Sequence, residues 1–524
     1  MSIQSSLLQS KGGLNVQFNT KFLYSEYDPE NSAVKGAVAV VKDLRIIPHT
    51  LYIIPSPALW YGVPEIISKL EGETVIAVEC DPGLYDIAAA REHNLPLFPN
   101  NRISVNELKA LPGWPFRRVQ YLPLNSGYRF QKEAYSSLHT ILSEQLMEYW
   151  RNRMTLAHMI PLWTRNLFKN LPEIQNAIPL NALRTEKPVI LAGAGESLEQ
   201  LREMIAGIRE EYYILAIDTA LPYFCEAGIQ PDAVIAVDGQ FYNFLDFVGD
   251  AVCPDMKLIA DVTSYPGILR RFHGRTYVFM TDFWETSLVA RMKRFIPDML
   301  PAFGSVGIAG LEIAQRITSN SIFVCGLDFS FSLGKTHARG TTYGKYAERK
   351  LSRLSPIPAV KSQLVRGLTT VTTENGTSRL TDAALSGYCT LAANWPFDRS
   401  RIFTLSRSSR SIGLQFGTLQ HGKSHAVDSP QSMNNTPSAG ISEVTTFSRN
   451  ENRLLTNLYN AAFDILQNGE TQRRLNLFME KLEECDYAAL HITDMAPSKP
   501  HPTQLKRLLM ALSLYIRTIS RFGA

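Results

Sequence analysis

Three groups of residues between 188 and 343 have the types and spacing that chemistry requires. The first is Gly193-Ala194-Gly195-Glu196-Ser197-Leu198, which follows an apolar run at 189–192 and opens a helical pattern of Leu198, Leu201, Ile205 and Ile208. Ser197 with Gln200 forms a capping-box signature. Glycines here bring backbone close to a ligand, and unpaired N–H groups at a helix start favour an anion. An ordinary strand-to-helix turn is the other reading, because Glu196 would stabilise the helix terminus and repel a phosphate. The second group is Asp218-Thr219, after an apolar run at 213–217, and Asp238-Gly239-Gln240, after another at 233–237. Carboxylates at successive strand ends point into the crevice where open α/β sheets bind ligands, and can hold a ribose or a divalent cation. Either could instead cap the next helix. The third is Phe303-Gly304-Ser305-Val306-Gly307, opening a helix, with Gly326-Leu327-Asp328 and the loop Gly334-Lys335-Thr336-His337-Ala338-Arg339-Gly340. Gly334-Lys335-Thr336 imitates the end of a P-loop, but the first glycine of that motif would fall on Phe329. What remains is His337, able to take a proton from a hydroxyl, opposite Asp328, with Lys335 and Arg339 to stabilise a departing phosphate.

These groups need a parallel sheet to position them. Short, uniformly apolar runs at 189–192, 213–217, 233–237, 258–260, 276–280 and 321–325 alternate with helical patterns, as strands buried on both faces do. Upstream, runs at 50–55 and 74–78 flank a helical pattern at 63–70, a smaller β-α-β rhythm. Glu79 and Asp81 stand where a Rossmann-like unit carries its acidic residue, but Pro55-Ser56-Pro57 replaces the glycine turn and removes N–H donors. That favours a structural or partner-binding unit over a cofactor site. The expected fold is α/β, with a central Rossmann-like, mostly parallel domain at 188–410. A smaller Rossmann-like domain at 1–130 and a helical connector at 131–187 precede it. A linker at 411–448 and a helical domain at 449–524 follow. The linker reading rests on the Gly/Ser-rich stretch 406–448, and 346–367 reads as a basic mobile loop. Leu455, Leu458, Ala462, Leu505, Leu508 and Leu512 form stripes that read as helical core.

Composition narrows the classes. The 524 residues carry a net charge of +4 with no basic stripe, so nucleic acid is not an expected partner. The 6 cysteines have no metal-like spacing and read as reduced thiols, and no metal is assigned. The absence of a signal-like start or a long apolar run predicts a soluble cytoplasmic protein without a membrane span.

The order and spacing of these blocks resemble the motility-associated factors that glycosylate flagellin, and their relatives, the hydroxymethylpterin diphosphokinases of the MptE-like type. The matching pieces are 193–198, 216–221 with 227–232, Asp238-Gly239-Gln240, Gly304-Ser305-Val306, and 326–328 with 334–340. Residues 23–29 also resemble the opening of the longer flagellar members. The resemblance implies a sialyltransferase-like central fold, a CMP-sugar donor and flagellin as protein acceptor. Carried over by position, Gly193, Gly195, Ser197, Asp218, Thr219, Asp238, Gly304 and Ser305 would line the nucleotide, with His337, Asp328, Lys335 and Arg339 at the reaction. Glu196 departs from the proline usual in the family. The alternatives are an ATP-dependent diphosphokinase with metal on Asp238 and Asp328, and a non-catalytic flagellin-binding assembly factor.

Overall fold

The computed structural model describes residues 5–99, 103–248, 255–272, 275–282, 287–296, 298–349, 351–354, 367–419, 441–489 and 501–523. The chain forms two compact units, Met1–Thr155 and Leu156–Ala524.

In the first unit, β1 (Ser5–Ser10), β2 (Gly13–Phe18) and β3 (Lys21–Phe22) make an antiparallel ribbon. The strands β4 (Thr50–Pro55), β5 (Thr74–Glu79), β6 (Leu97–Pro99) and β7 (Arg118–Tyr121) form a parallel sheet in the order β6-β5-β4-β7. Every position of β4 is buried, which explains why its sequence runs apolar instead of alternating. Leu51 and Ile53 face Leu138, Leu142 and Leu146 of the helix Lys132–Ile174, while Tyr52 and Ile54 face Val63 and Ile66 of the helix Val63–Lys69.

The second unit is built on a larger sheet. Its strands are β8 (Ile178–Pro179), β9 (Val189–Ala192), β10 (Tyr213–Ile217), β11 (Ala233–Ala236), β12 (Lys257–Asp261), β13 (Thr276–Asp282), β14 (Met299–Pro301) and β15 (Ile322–Cys325). An antiparallel hairpin, β16 (Thr369–Thr372) with β17 (Ser378–Thr381), comes before the last two sheet strands, β18 (Ile402–Thr404) and β19 (Gln415–Phe416). The order is β14-β13-β12-β11-β10-β9-β15-β18-β19, with β8 also on β13, and every pairing is parallel. One face packs Val189, Leu191, Leu215 and Ile235 under the helix Val306–Ile317. That helix comes close because Gly310 has no side chain; a Cβ there would lie 2.8 Å from Leu191 Cδ1. The other face packs Ile190, Ala192, Ile214 and Ala216 under Leu198, Leu201, Ile205 and Phe224.

The helices Ile441–Asn468, Gln472–Glu484 and Pro502–Gly523 join the second unit. Leu455, Leu458, Ala462, Leu505, Leu508 and Leu512 pack with Ile160, Leu167, Phe168 and Leu171, so the apolar stripes are core. A buried Arg291–Glu451 ion pair at 2.5 Å, with Tyr487 Oη donating to Glu451 at 3.2 Å, fixes them to the helix Ser287–Met292.

Two stretches differ from expectation. Residues 346–349 end the helix Thr342–Arg349 where a loop was expected; residues 350 and 355–366 of that stretch lie outside the described residues. Residues 406–419 are packed, β19 completes the sheet, and the helix Ile441–Asn468 begins inside the expected linker, of which 420–440 lie outside the described residues. The serines that made the stretch read as a linker form a network: Ser409 Oγ donates to Ser406 O at 3.0 Å, and Ser408 N to Ser406 Oγ at 3.1 Å. No described helix is long and apolar enough to cross a membrane.

Candidate functional site

The large sheet changes direction between β9 and β15, where chain order runs outward both ways. The crevice beyond the carboxyl ends of such strands is where α/β sheets take ligands. The two loops that leave it, 193–197 and 326–328, are spent on each other. Gly193 N donates to Cys325 O at 2.7 Å, Gly195 N to Gly326 O at 2.8 Å, and Ser197 N to Asp328 Oδ2 at 2.9 Å. Ser197 Oγ donates to Asp328 Oδ1 and accepts from Gly326 N. A Cβ on Gly193 would lie 2.3 Å from Gly326 O, and one on Gly195 2.6 Å from Asp328 Oδ2. The glycines therefore admit protein backbone and carboxylate, not a phosphate. Asp328 is buried and serves as the brace of this turn, with burial pushing its carboxyl up to about 6.

The charge of Glu196 is also answered from within. It pairs with Arg379, a buried residue of β17, accepts from Ser332 Oγ at 2.9 Å, and has Lys335 Nζ at 3.8 Å. The same Arg379 guanidinium donates to Ser332 Oγ and Ser408 O, tying the hairpin to the loop after β15. Lys335 binds Glu199 at 2.8 Å, and Arg339 N donates to Glu199 Oε1 at 2.7 Å. Lys335 thus clamps its loop, while the Arg339 side chain is exposed. His337 Nδ1 lies 3.0 Å from Thr336 Oγ1, and its ring sits 5.2 Å from that of Tyr343. Farther along, Ala338 N donates to Ala194 O, so the loop crosses over the end of β9.

Beyond the switch point, acidic groups gather. Asp218, at the end of β10, is fully buried; it accepts from Thr219 N at 2.8 Å and from Asn243 Nδ2 at 3.3 Å. Burial pushes it up to about 6, with Asp238 adding like-charge repulsion. Asp238 is also raised by burial, against hydrogen bonds from the amides of Gln240 and Gly239. Asp246 is pushed up to about 7 by burial, opposed by a hydrogen bond from Thr342 and raised further by Asp218. Three carboxylates thus share one field, reached by the helix that continues the His337 loop. Asn166 Nδ2 donates to Gly239 O and Thr263 O, and Asn170 Nδ2 to Val262 O and Ser264 O, so one helix fixes the ends of β11 and β12.

After β14, at the carboxyl edge of the same parallel sheet, the helix Val306–Ile317 begins. Ser305 is its N-cap without a side-chain capping bond, and the first amide bonded back along the helix is Ala309 N to Ser305 O. The amides of Val306, Gly307 and Ile308 have no partner among the described residues, which makes this an anion-receptive end. Gly304, at φ +66, turns the chain into it against the ring of Tyr388, 3.2 Å from where a Cβ would stand. Burial raises the Tyr388 phenol, with smaller contributions from Asp382 and Asp238.

The pieces brought together are therefore Asp218, Thr219 and Asp238, and separately Gly304 and Ser305 with Tyr388. Gly193, Gly195, Ser197 and Asp328 form the frame. Sequence reasoning missed Asp246, Asn243, Thr342, Arg379 and Tyr388. The spacing 238–246 was a usable signal for Asp246, a second acid one short helix after the first. Nothing local marks Arg379 or Tyr388, whose partners lie far away in the chain.

In the first unit the corresponding crevice, after β4, is closed by its own chain. Tyr24 Oη donates to Pro57 O at 2.8 Å and accepts from Leu59 N at 3.1 Å and Asn125 Nδ2 at 3.2 Å. Glu79 is buried, accepting from Cys80 N, Asp81 N and Gln131 Nε2.

A parallel sheet with helices on both faces, and polar groups converging beyond its carboxyl ends, defines a Rossmann-like α/β protein. Within it, residues 165–334 match the 6-hydroxymethylpterin diphosphokinase MptE-like family. An uncharacterized protein of Treponema pallidum (strain Nichols) is 26% identical over 361 residues, which is 65% of this chain and 61% of that protein. A second from the same organism is 34% identical over 132 residues, 24% of this chain and 63% of that protein. The chain thus spans about three-fifths of each. In fold it is similar to a MAf glycosyltransferase from Magnetospirillum magneticum AMB-1, with a TM-score of 0.55 at 14% identity, covering 100% of this chain and 87% of that one. The α/β fold class expected from the sequence is the one found, and the MptE-like match and the likeness in fold to a MAf glycosyltransferase agree with the resemblance read in the sequence.

Proposed function

We propose that the protein is a glycosyltransferase that moves a nonulosonic, sialic-acid-like sugar from a CMP donor to a Ser or Thr hydroxyl of a protein acceptor, flagellin, in the cytoplasm. The observation that carries this reading is an uncapped helix start, with Tyr388 against Gly304, and strand-end carboxylates at the same carboxyl edge of one parallel sheet. The amides of Val306, Gly307 and Ile308, reached through the turn at Gly304 and Ser305, would receive the donor phosphate. Asp238, half-buried, would accept from the ribose hydroxyls, with Asp218 and Thr219 packed behind it. In the transfer, the acceptor oxygen bonds to the anomeric carbon as the bond from that carbon to the phosphate oxygen breaks, releasing CMP. The acceptor proton passes to a base, His337 at the loop or Asp246, whose value of about 7 suits the task. Arg339, exposed beside that loop, would steady the leaving phosphate.

The diphosphokinase alternative is not favoured: the metal it would place on Asp238 and Asp328 meets an Asp328 already committed to Ser197. Mass spectrometry of flagellin from cells with and without the gene tests the transfer. A sugar-sized mass lost with the gene and not restored by His337→Ala or Asp246→Asn is expected. Identical spectra would remove the support for transfer, and tight flagellin binding that survives both substitutions would favour the assembly-factor alternative.

A further inference from the structure

Outside the crevice, a cavity of about 410 Å³ opens between the helix Lys132–Ile174 and the C-terminal helix Pro502–Gly523, lined within the second unit by His158, Met159, Leu162, Arg165, Gln240 and Leu514 among others. Two features set it apart. The first is charge without a counterpart. Arg165 Nε is buried without a hydrogen-bond partner, and no ion pair among the described residues involves Arg165, Lys169 or Arg270. These cations sense one another: burial lowers Lys169, and Arg165 and Arg270 lower it further. A buried guanidinium nitrogen without a partner, with Lys169 one helical turn away, is costly until an anion joins it.

The second is continuity with the candidate site. Gln240 lines the cavity and belongs to the same turn as Asp238. From Gln240 the chain enters a short helix, Phe241–Phe244, that leaves Phe241, Tyr242 and Leu245 exposed, Tyr242 at 75%. On the far side, Leu514 and Met510, the latter at 76%, are exposed on the C-terminal helix. Exposed apolar side chains on both elements that flank a cavity holding an unpaired cation suit an extended chain better than a single small molecule.

We propose that this groove docks a segment of the acceptor polypeptide in which acidic and apolar residues alternate closely. Its carboxylate meets Arg165 and Lys169, its apolar side chains enter between Met159, Leu162 and Leu514, and Gln240 bonds its backbone beside the crevice. Naming the segment as acceptor rests on the transferase reading; its binding does not.

The test uses the full chain and two short fluorescent peptides of the same apolar residues, one with Asp and Glu and the other with Asn and Gln, read by anisotropy alongside CMP binding. The acidic peptide should bind more tightly, and Arg165→Glu should weaken it by about tenfold or more while leaving CMP binding unchanged. Lys169→Glu, at an exposed position, should act in the same direction and decides the matter if the Arg165 variant does not fold. Equal binding of both peptides, binding of neither, or acidic-peptide affinity untouched by either substitution overturns the groove. Loss of CMP binding in the unmodified chain would instead sink the transferase reading and leave the groove standing.

Discussion

The chain contains two parallel sheets, each with a reversal of strand order where a ligand crevice is expected, and they use that place differently. In the small sheet, residues 55–60 after β4 are all buried, and Ser56, Ala58 and Trp60 hold positive φ of 53, 43 and 61. L-residues adopt that region at a cost of about 1–2 kcal/mol each, sustained only where surroundings over-determine it, as Tyr24 and Asn125 do here. In the large sheet the switch-point turn is likewise filled, by Gly326 and Asp328, but neighbouring groups are left available: the amides at 306–308, Tyr388, and carboxylates raised by burial. Topology therefore nominates a crevice, and hydrogen-bond accounting decides whether it can take a ligand.

Substitutions can separate the two. The largest effect is expected from Gly193→Ala, whose Cβ would press on Gly326 backbone at 2.3 Å. It should cost about 3 kcal/mol, the upper end for overpacking, seen as a lower denaturation midpoint. Asp238→Asn should weaken CMP binding by about ten- to a hundredfold, the worth of a charge-assisted hydrogen bond, by calorimetric titration. Tyr24→Phe should destabilise the first unit by about 1–3 kcal/mol by stranding Leu59 N and Pro57 O, visible as faster amide exchange at 58–60, with CMP affinity unchanged. An equal loss of CMP affinity would erase the distinction between the crevices.

The smallest effect concerns pH. Asp246 rises from an ordinary 3.8 to about 7 on folding, so its ionisation opposes the folded state. The opposition grows as pH rises from about 4 to about 7 and is constant above. Asp246→Asn should therefore raise the melting temperature slightly at about pH 8, and the gain should shrink as pH falls towards about 4. A gain that grows on acidification would contradict the assignment.

Much of the sheet could be read directly from the sequence, because a strand buried on both faces must be apolar throughout, as Val189 to Ala192 and Tyr213 to Ile217 are. Asp218 and Asp238 were visible for the same reason: they end such runs. The glycine turn was legible as a turn but not in its purpose, since Gly193 and Gly195 answer to Gly326 and Asp328, more than 130 residues onward by the 131-residue separation of Ser197 from Asp328. Tyr388 and Arg379 matter through partners such as Gly304 and Glu196, and no local pattern records that. The serine-rich 406–409 read as linker because, beyond its own short-range turns, the bonds that pin it, Arg379 to Ser408 O, Glu374 N to Ser409 O and Asn375 N to Arg407 O, come from far along the chain.

The most direct test of a single ligand-competent crevice is titration of CMP into the full chain and into three variants, Asp238→Asn, Tyr24→Phe and Glu79→Gln. One saturable site, weakened by the first substitution and indifferent to the other two, is the predicted result. No binding, or binding lost through Tyr24 or Glu79 and kept without Asp238, would contradict it.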